Sequence, residues 1–244
     1  DELIARSGRQ FVDQLRQLRD AVEKRILPAF ADVPGEGDAI AEEVFQERVK
    51  DRGGHDDPGY DSSQDSVAAR EATFEHFARM TTLEQLFISA MVVTTSHLFE
   101  QQLTALVRRV YPPLEGKAAK ALANQARDTF KSMVKDRSNV EVDSLPGWGK
   151  AEELRFVANA IKHADSGSAA EYVHQHRRDL LTHPSVKREG MPGTSHVPDP
   201  LEFPSFGEDI YVTSDQLAEY IVALCSFWDA LPAKFQECRR PLPF

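Results

Sequence analysis

Apolar residues recur at a helical period in the stretch Gly149–Gly167. Successive residues of a helix turn by about 100°, so residues three and four positions apart share one face. The apolar stripe of this stretch contains Leu154, Val157, Ala158 and Ile161, and the other face contains Glu152, Arg155, Asn159 and His163. The pattern predicts a helix that starts near Lys150, after the Pro146-Gly147 turn, and stops at 164–167. Its polar row points away from the core of the chain.

The same spacing predicts helices in most of the remaining chain. Their approximate ranges are 3–27, 38–49, 65–110, 117–136, 169–181 and 217–231. Pro28 and Pro232 are expected to end two of them, and residues 83–106 are expected to form the central core helix. Residues 209–212 read as one short strand or an extended arm. The predicted fold class is mainly α, a bundle of about six to eight helices with long loops and at most one short strand pair.

Composition and loops divide the chain into three parts that are expected to form a single globular unit. Residues 1–63 form an N-terminal helical extension and loop, residues 64–183 form the helical core, and residues 184–244 form a long loop and a C-terminal helix packed on the core. The long loops are predicted at 50–63 and 184–208, where glycine and proline are frequent.

The overall composition predicts a cytoplasmic protein that does not enter a membrane. The chain has 244 residues, of which 41% are hydrophobic and 28% are charged. Its longest apolar run, residues 86–93, is far shorter than the roughly 20 residues that a membrane-spanning helix needs. Cys225 and Cys238 are the only cysteines, too few for a disulfide framework or a thiolate zinc site.

The distribution of charge along the chain limits the kinds of ligand that the sequence predicts. A net charge of −10 argues against indiscriminate binding of nucleic acid, which depends on clustered Lys and Arg. Residues 104–163 nevertheless contain eleven basic and seven acidic residues, and this segment includes the polar row. The local excess of positive charge permits an anionic ligand there.

Metal and cofactor chemistry has little support in the sequence. His55, Asp56 and Asp57 are of metal-binding types, but their Gly-rich surroundings are typical of a solvated turn. His174 and His176 are two positions apart and diverge on a helix. No P-loop, HExxH or GxSxG motif occurs. No metal and no cofactor are predicted, and a metal-dependent hydrolase built on the 55–57 loop is the least favoured hypothesis.

The residue types in the polar row suit a phosphodiester. Arginine grips phosphate oxygens and stabilises charge in the transition state, while histidine exchanges protons at neutral pH. In RNA the 2′-hydroxyl attacks the adjacent phosphate without a metal. The alternative is an ordinary solvated helix face, in which Glu152 and Arg155 form an i, i+3 pair and His163 favours the helix C-terminus. The sequence leaves both interpretations open.

Residues 80–167 resemble the HEPN superfamily of all-α domains. The resemblance rests on the apolar helix with Ser96-His97-Leu98-Phe99-Glu100-Gln101-Gln102-Leu103, on the Trp148 turn, and on Leu154-Arg155-Phe156-Val157-Ala158-Asn159-Ala160-Ile161-Lys162-His163 followed by Gly167. The family motif is an arginine, usually followed directly by a polar residue, and a histidine after four to six intervening residues. Here His163 matches the histidine and Asn159 the polar residue. Arg155 lies one turn earlier than the family arginine, still on the same face.

The resemblance implies a metal-independent endoribonuclease of a bacterial defence or toxin-type system, dimeric through the helix that carries the row. Its expected catalytic residues are Arg155, Asn159 and His163, with Lys162, Lys150 and Glu152 in substrate binding. The expected partners are a second copy of the chain, RNA, and an antitoxin or defence-system protein. The alternative is a non-catalytic helical module of such a system that holds a partner protein or senses a nucleotide.

Overall fold

The computed structural model describes residues 2–51, 62–110, 125–163, 167–181 and 210–237. Within these ranges the chain is mainly α-helical, which confirms the predicted fold class, and no strand occurs. The helices are α1 (Glu2–Ala21), α2 (Val33–Asp51), α3 (Ser63–Val110), α4 (Ala126–Ser138), α5 (Trp148–His163), α6 (Gly167–His176) and α7 (Ser214–Glu237). Shorter turns are the π-helical Val22–Ile26 and the 3-10 turns Leu27–Phe30, Val142–Ser144 and Arg178–Leu181.

Several predicted features lie outside the described residues. They are the greater part of the 50–63 loop with His55, Asp56 and Asp57, the start of the 117–136 helix, the 184–208 loop and Cys238. Of residues 209–212, for which a short strand or an extended arm was predicted, the structure describes 210–212, and these are irregular. In the described ranges, none of the helices combines the length and the hydrophobicity that crossing a bilayer requires.

The chain divides into two compact units. The first contains Asp1–Arg19 and Ile88–Phe244, and the second contains Asp20–Phe87. In the second unit, Thr73 Oγ1 on α3 donates to the Gly37 carbonyl on α2 at 3.0 Å, and the His76 ring lies 3.0 Å from the Glu36 carboxylate. These contacts join α2 to the N-terminal part of α3.

The core of the first unit is built on aromatic side chains from four helices. Ring centroids lie 5.4 Å apart for Phe99 and Phe227, 5.5 Å for Trp148 and Phe227, and 6.2 Å for the stacked pair Phe130 and Trp148. Trp148, which the sequence predicts to plug the turn before α5, is 1% exposed. This cluster places α5 against α3, α4 and α7.

The apolar region of α3 is only partly buried. Ile88, Val92, Phe99 and Leu103 are at most 3% exposed, whereas Leu83, Leu86 and Phe87 are 41–46% exposed. In the predicted core helix, the buried apolar face therefore begins at Ile88.

The prediction that Pro232 ends the last helix is wrong, because α7 runs to Glu237 with Pro232 inside it. Proline lacks the N–H that would bond to the carbonyl four residues earlier, here that of Trp228. Trp228, Leu231 and Phe235 are at most 5% exposed, so apolar burial on both sides of the proline outweighs the missing hydrogen bond. Gly8 on α1 packs closely there, since a Cβ at Gly8 would lie 3.0 Å from the Trp228 carbonyl oxygen.

Candidate functional site

Helix α5 begins at a turn that only glycine can form. Gly147 has φ +79°, and a Cβ at this position would overlap the Ala223 carbonyl of α7. The Trp148 N–H donates to the Leu145 carbonyl at 3.2 Å, and the Ala151 N–H donates to the Gly147 carbonyl at 3.0 Å. The turn therefore fixes the start of α5 directly against the backbone of α7.

The two faces of α5 differ as the apolar pattern predicts. The stripe of Trp148, Ala151, Leu154, Val157, Ala158, Ala160 and Ile161 is buried. Opposite it, Lys162 and His163 are exposed and Asn159 is half-buried. The side chain of Arg155 is 35% exposed. The polar row, defined here as Arg155, Asn159 and His163, thus lies on the face of α5 turned away from the core.

Arg155 has contacts on its own helix that leave part of its guanidinium unused. Its Nη2 donates to Glu152 Oε2 at 3.4 Å, a long hydrogen bond. Its Cζ lies 4.6 Å from the centroid of the Phe156 ring. Its Nε is buried and has no hydrogen-bond partner among the described residues. The described residues therefore engage this guanidinium only in part.

Glu152 connects the row to α4. Its Oε1 accepts a hydrogen bond of 2.8 Å from Arg127 Nη1, which is shorter than its bond with Arg155. Arg127 also donates to the Ala151 carbonyl at 3.4 Å and from Nε to Glu100 at 3.5 Å. The carboxylate of Glu152 is thus shared between two guanidinium groups, one on each side.

Aromatic rings extend from the row to α6. Phe156 stacks on Tyr172 with ring centroids 4.4 Å apart and planes 12° apart, and Tyr172 in turn lies 4.9 Å from the His176 ring. Burial, followed by the charge of Glu153, raises the pKa of Tyr172 above its ordinary value. The column formed by Arg155, Phe156, Tyr172 and His176 joins the outer faces of α5 and α6.

A second polar cluster lies between α5 and α7, centred on the carboxylate of Glu153. Its Oε1 accepts hydrogen bonds from Tyr220 Oη at 2.8 Å and from Lys150 Nζ at 3.1 Å, and it also contacts Arg177. Arg177 makes a two-pronged pair with Asp179, at 2.9 Å from Nε and 2.8 Å from Nη2. This pairing is the main cause of the raised pKa of Arg177.

Tyr220 is the buried member of this cluster, at 1% exposure. Burial raises the pKa of its phenol strongly, and the hydrogen bond to Glu153 raises it further. Sequence reasoning missed this cluster. The available signal was Glu153, an acidic residue at the edge of the apolar stripe, but its partners Arg177 and Tyr220 are distant in sequence and only the fold brings them to it.

The structure brings together most of the residues that the sequence analysis predicted for the site. Glu152, Arg155, Asn159, Lys162 and His163 share the outer part of α5. Lys150 does not join them. It bonds to Glu153, and its Nζ lies 5.6 Å from the centroid of the Tyr220 ring. Its assignment to substrate binding stays a prediction.

The spacing along α5 limits what one chain can do alone. Arg155 and His163 are eight positions apart in the sequence, with seven residues between them, which corresponds to about 12 Å along a helix. Within one chain, a single phosphate therefore contacts either Arg155 or His163 more readily than it contacts both. Among the described residues, no group of three His, Cys, Asp or Glu side chains is arranged to hold a metal ion.

Comparison with known proteins identifies no relative, since no family model, no curated protein and no solved structure matches this chain.

Proposed function

We propose that this protein is RNA-directed and acts as a HEPN-like, metal-independent endoribonuclease of a bacterial defence or toxin-type system. The observation that carries the proposal is the placement of Arg155, Asn159 and His163 on the outer face of α5, opposite a buried apolar stripe. A cation, an amide and an imidazole in one row are the groups that phosphodiester transfer needs.

In this mechanism Arg155 binds the scissile phosphate and Asn159 orients the RNA or the imidazole. The 2′-oxygen forms a bond to phosphorus while the bond from phosphorus to the 5′-oxygen breaks. The products are a cyclic phosphate and a 5′-hydroxyl end. One imidazole takes the proton of the 2′-hydroxyl and another protonates the departing oxygen.

Two chains together supply the two imidazoles. They also bring the guanidinium of Arg155 closer to an imidazole of His163 than one chain can. In one chain Arg155 and His163 are about 12 Å apart along the helix. When two α5 helices meet antiparallel across a twofold axis, Arg155 of one chain approaches His163 of the other. The proposal therefore includes a homodimer formed through α5.

The test is incubation of the purified protein with RNA in EDTA. The wild-type protein is expected to cleave, and His163→Ala is expected to lose cleavage by about 10²- to 10⁴-fold while its thermal unfolding is unchanged. His97→Ala is the matched control, because His97 is also an exposed histidine and bonds to Gln101 on α3. Intact RNA, or equal cleavage by wild type and His163→Ala, would contradict the proposal.

A second candidate is a non-catalytic module that holds a partner protein or a regulatory nucleotide. The observation that favours it is the engagement of Arg155 with Glu152 and with the Phe156 ring. An arginine stacked on an aromatic ring suits recognition as well as catalysis. This candidate predicts that RNA stays intact and that Arg155→Ala releases an antitoxin-like partner that co-purifies with the wild-type protein.

A further inference from the structure

Four side chains of alternating charge contact one another in sequence, and the last of them is Arg155 of the polar row. Glu100 on α3 contacts Arg127 on α4 at 3.5 Å, Arg127 contacts Glu152 on α5 at 2.8 Å, and Glu152 contacts Arg155 at 3.4 Å. All four belong to the first compact unit. The Glu152 carboxylate therefore has two competing partners, of which only Arg155 belongs to the polar row.

Arg127 is the better fixed of the two partners. Its side chain is 12% exposed, and its Cζ lies 5.6 Å and 5.7 Å from the ring centroids of Phe99 and Trp148. The hydrogen bond to the Ala151 carbonyl holds the guanidinium in place as well. A fixed, desolvated cation attracts a neighbouring carboxylate more strongly than an exposed one does.

Arg155 is held loosely in comparison. Its side chain is 35% exposed, its bond to Glu152 is long, and its buried Nε has no partner among the described residues. A partly exposed pair three residues apart on a helix, joined by a long hydrogen bond, contributes little stability. Arg155 can therefore exchange Glu152 for an anion at small cost, provided that Glu152 has another cation to remain with.

We propose that Arg127 is a positioning residue of the RNA site, which sets the affinity of Arg155 for a phosphate by drawing the Glu152 carboxylate toward α4. This inference rests on the proposed function, since the phosphate is that of RNA. When RNA binds, Glu152 stays with Arg127 and Arg155 turns to the phosphate. Without Arg127, the carboxylate pairs with Arg155 alone and opposes RNA.

Binding of a fluorescein-labelled single-stranded RNA tests the proposal, in EDTA and in a His163→Ala background that keeps the RNA intact. Glu152→Gln is expected to raise the affinity about two- to fivefold, and Arg127→Gln to lower it by a similar factor. The double variant Arg127→Gln/Glu152→Gln is expected to bind like Glu152→Gln, because Arg127 acts only through that carboxylate. Glu152→Gln should leave the salt dependence of binding close to that of wild type, because Arg155 contacts a phosphate in both complexes.

Matched variants separate this role from loss of charge or of packing. Lys131→Gln removes one positive charge that also lies close to Trp148, since Lys131 Nζ is 5.2 Å from the centroid of that ring. Lys131 differs from Arg127 in that it pairs with Asp143 instead of Glu152. Glu141→Gln removes one negative charge that pairs with Lys135. An Arg127→Gln effect no larger than that of Lys131→Gln, or an equal loss of affinity in the Glu152→Gln background, overturns the proposal. Thermal unfolding of each variant verifies that it is folded.

The two proposals fail in different ways. If Arg155→Ala leaves RNA affinity unchanged, the RNA-directed function at this row is wrong, and the role of Arg127 falls with it. If Arg155→Ala weakens binding while Glu152→Gln binds no better than Glu141→Gln, the function stands and the role of Arg127 is wrong.

Discussion

Tyr220 on α7 donates a hydrogen bond of 2.8 Å from its phenol oxygen to Oε1 of Glu153 on α5. The same phenol oxygen accepts a hydrogen bond of 2.8 Å from Arg177 Nη1. Because Glu153 directly follows Glu152 on α5, this part-buried bond acts together with the buried stripe of α5 to set the rotation of the helix about its axis. The outward direction of the polar row thus depends on a contact on the other side of α5.

Replacing Tyr220 by phenylalanine is expected to lower the free energy of unfolding by about 1 to 2 kcal/mol. The loss stays moderate because Glu153 keeps Lys150 and Arg177 as partners. Urea unfolding followed by circular dichroism measures the change. Tyr172→Phe is the control, since the described contacts of Tyr172 are made through its ring, and an equal loss in both variants would contradict the assigned bond.

The raised pKa of Tyr220 predicts a loss of stability at alkaline pH. In the unfolded chain a tyrosine ionises near pH 10, whereas the buried phenol stays protonated to higher pH. Its stabilisation is fully present below about pH 10 and is lost as the pH rises toward the folded-state pKa, by up to about 1.4 kcal/mol per pH unit. Urea unfolding between pH 8 and about pH 11 should give a flatter profile for Tyr220→Phe than for wild type, and parallel profiles would contradict the prediction.

Gly147→Ala and Gly149→Ala are expected to change stability in opposite directions. At Gly147 the positive φ and the overlap with the Ala223 carbonyl both oppose a Cβ, so we expect a loss of about 2 to 4 kcal/mol. A Cβ at Gly149 meets nothing within 4 Å, so alanine in the first turn of α5 should be neutral or add up to about 1 kcal/mol. Thermal unfolding of the two variants compares them directly. A similar effect at both positions would show that the turn does not depend on glycine.

Lys162→Ala is expected to weaken RNA binding by about two- to fivefold and to reduce the salt dependence by about 0.7 log units per log unit of salt. The reason is that Lys162 is exposed on the face of α5 that carries the row. Fluorescence anisotropy with a labelled single-stranded RNA measures both quantities. The control is Lys135→Ala, which removes an exposed lysine on α4 that pairs with Glu141. Equal effects of the two variants would indicate binding by overall charge alone.

The sequence predicted the helix that carries the candidate site and its buried face. It did not predict which side chains of other helices contact that helix. The spacing of Leu154, Val157 and Ile161 predicted which face of α5 is buried, because helical periodicity is a local property. The same reasoning was wrong at Pro232, where burial of Trp228 and Phe235 keeps the helix intact across a residue that locally disfavours it. No spacing rule could pair Glu153 with Tyr220, which lies 67 positions away.

The sequence by itself determined the mainly helical fold, the start of α5 at the Pro146-Gly147 turn and the common face of Arg155, Asn159 and His163. These features follow from backbone preferences and side-chain periodicity within a few turns of helix. Only the tertiary structure decided that Arg127 shares the Glu152 carboxylate and that Tyr220 donates a hydrogen bond to Glu153. Those contacts join residues from separate helices, and they arise from the packing of aromatic side chains that brings α3, α4, α5 and α7 together.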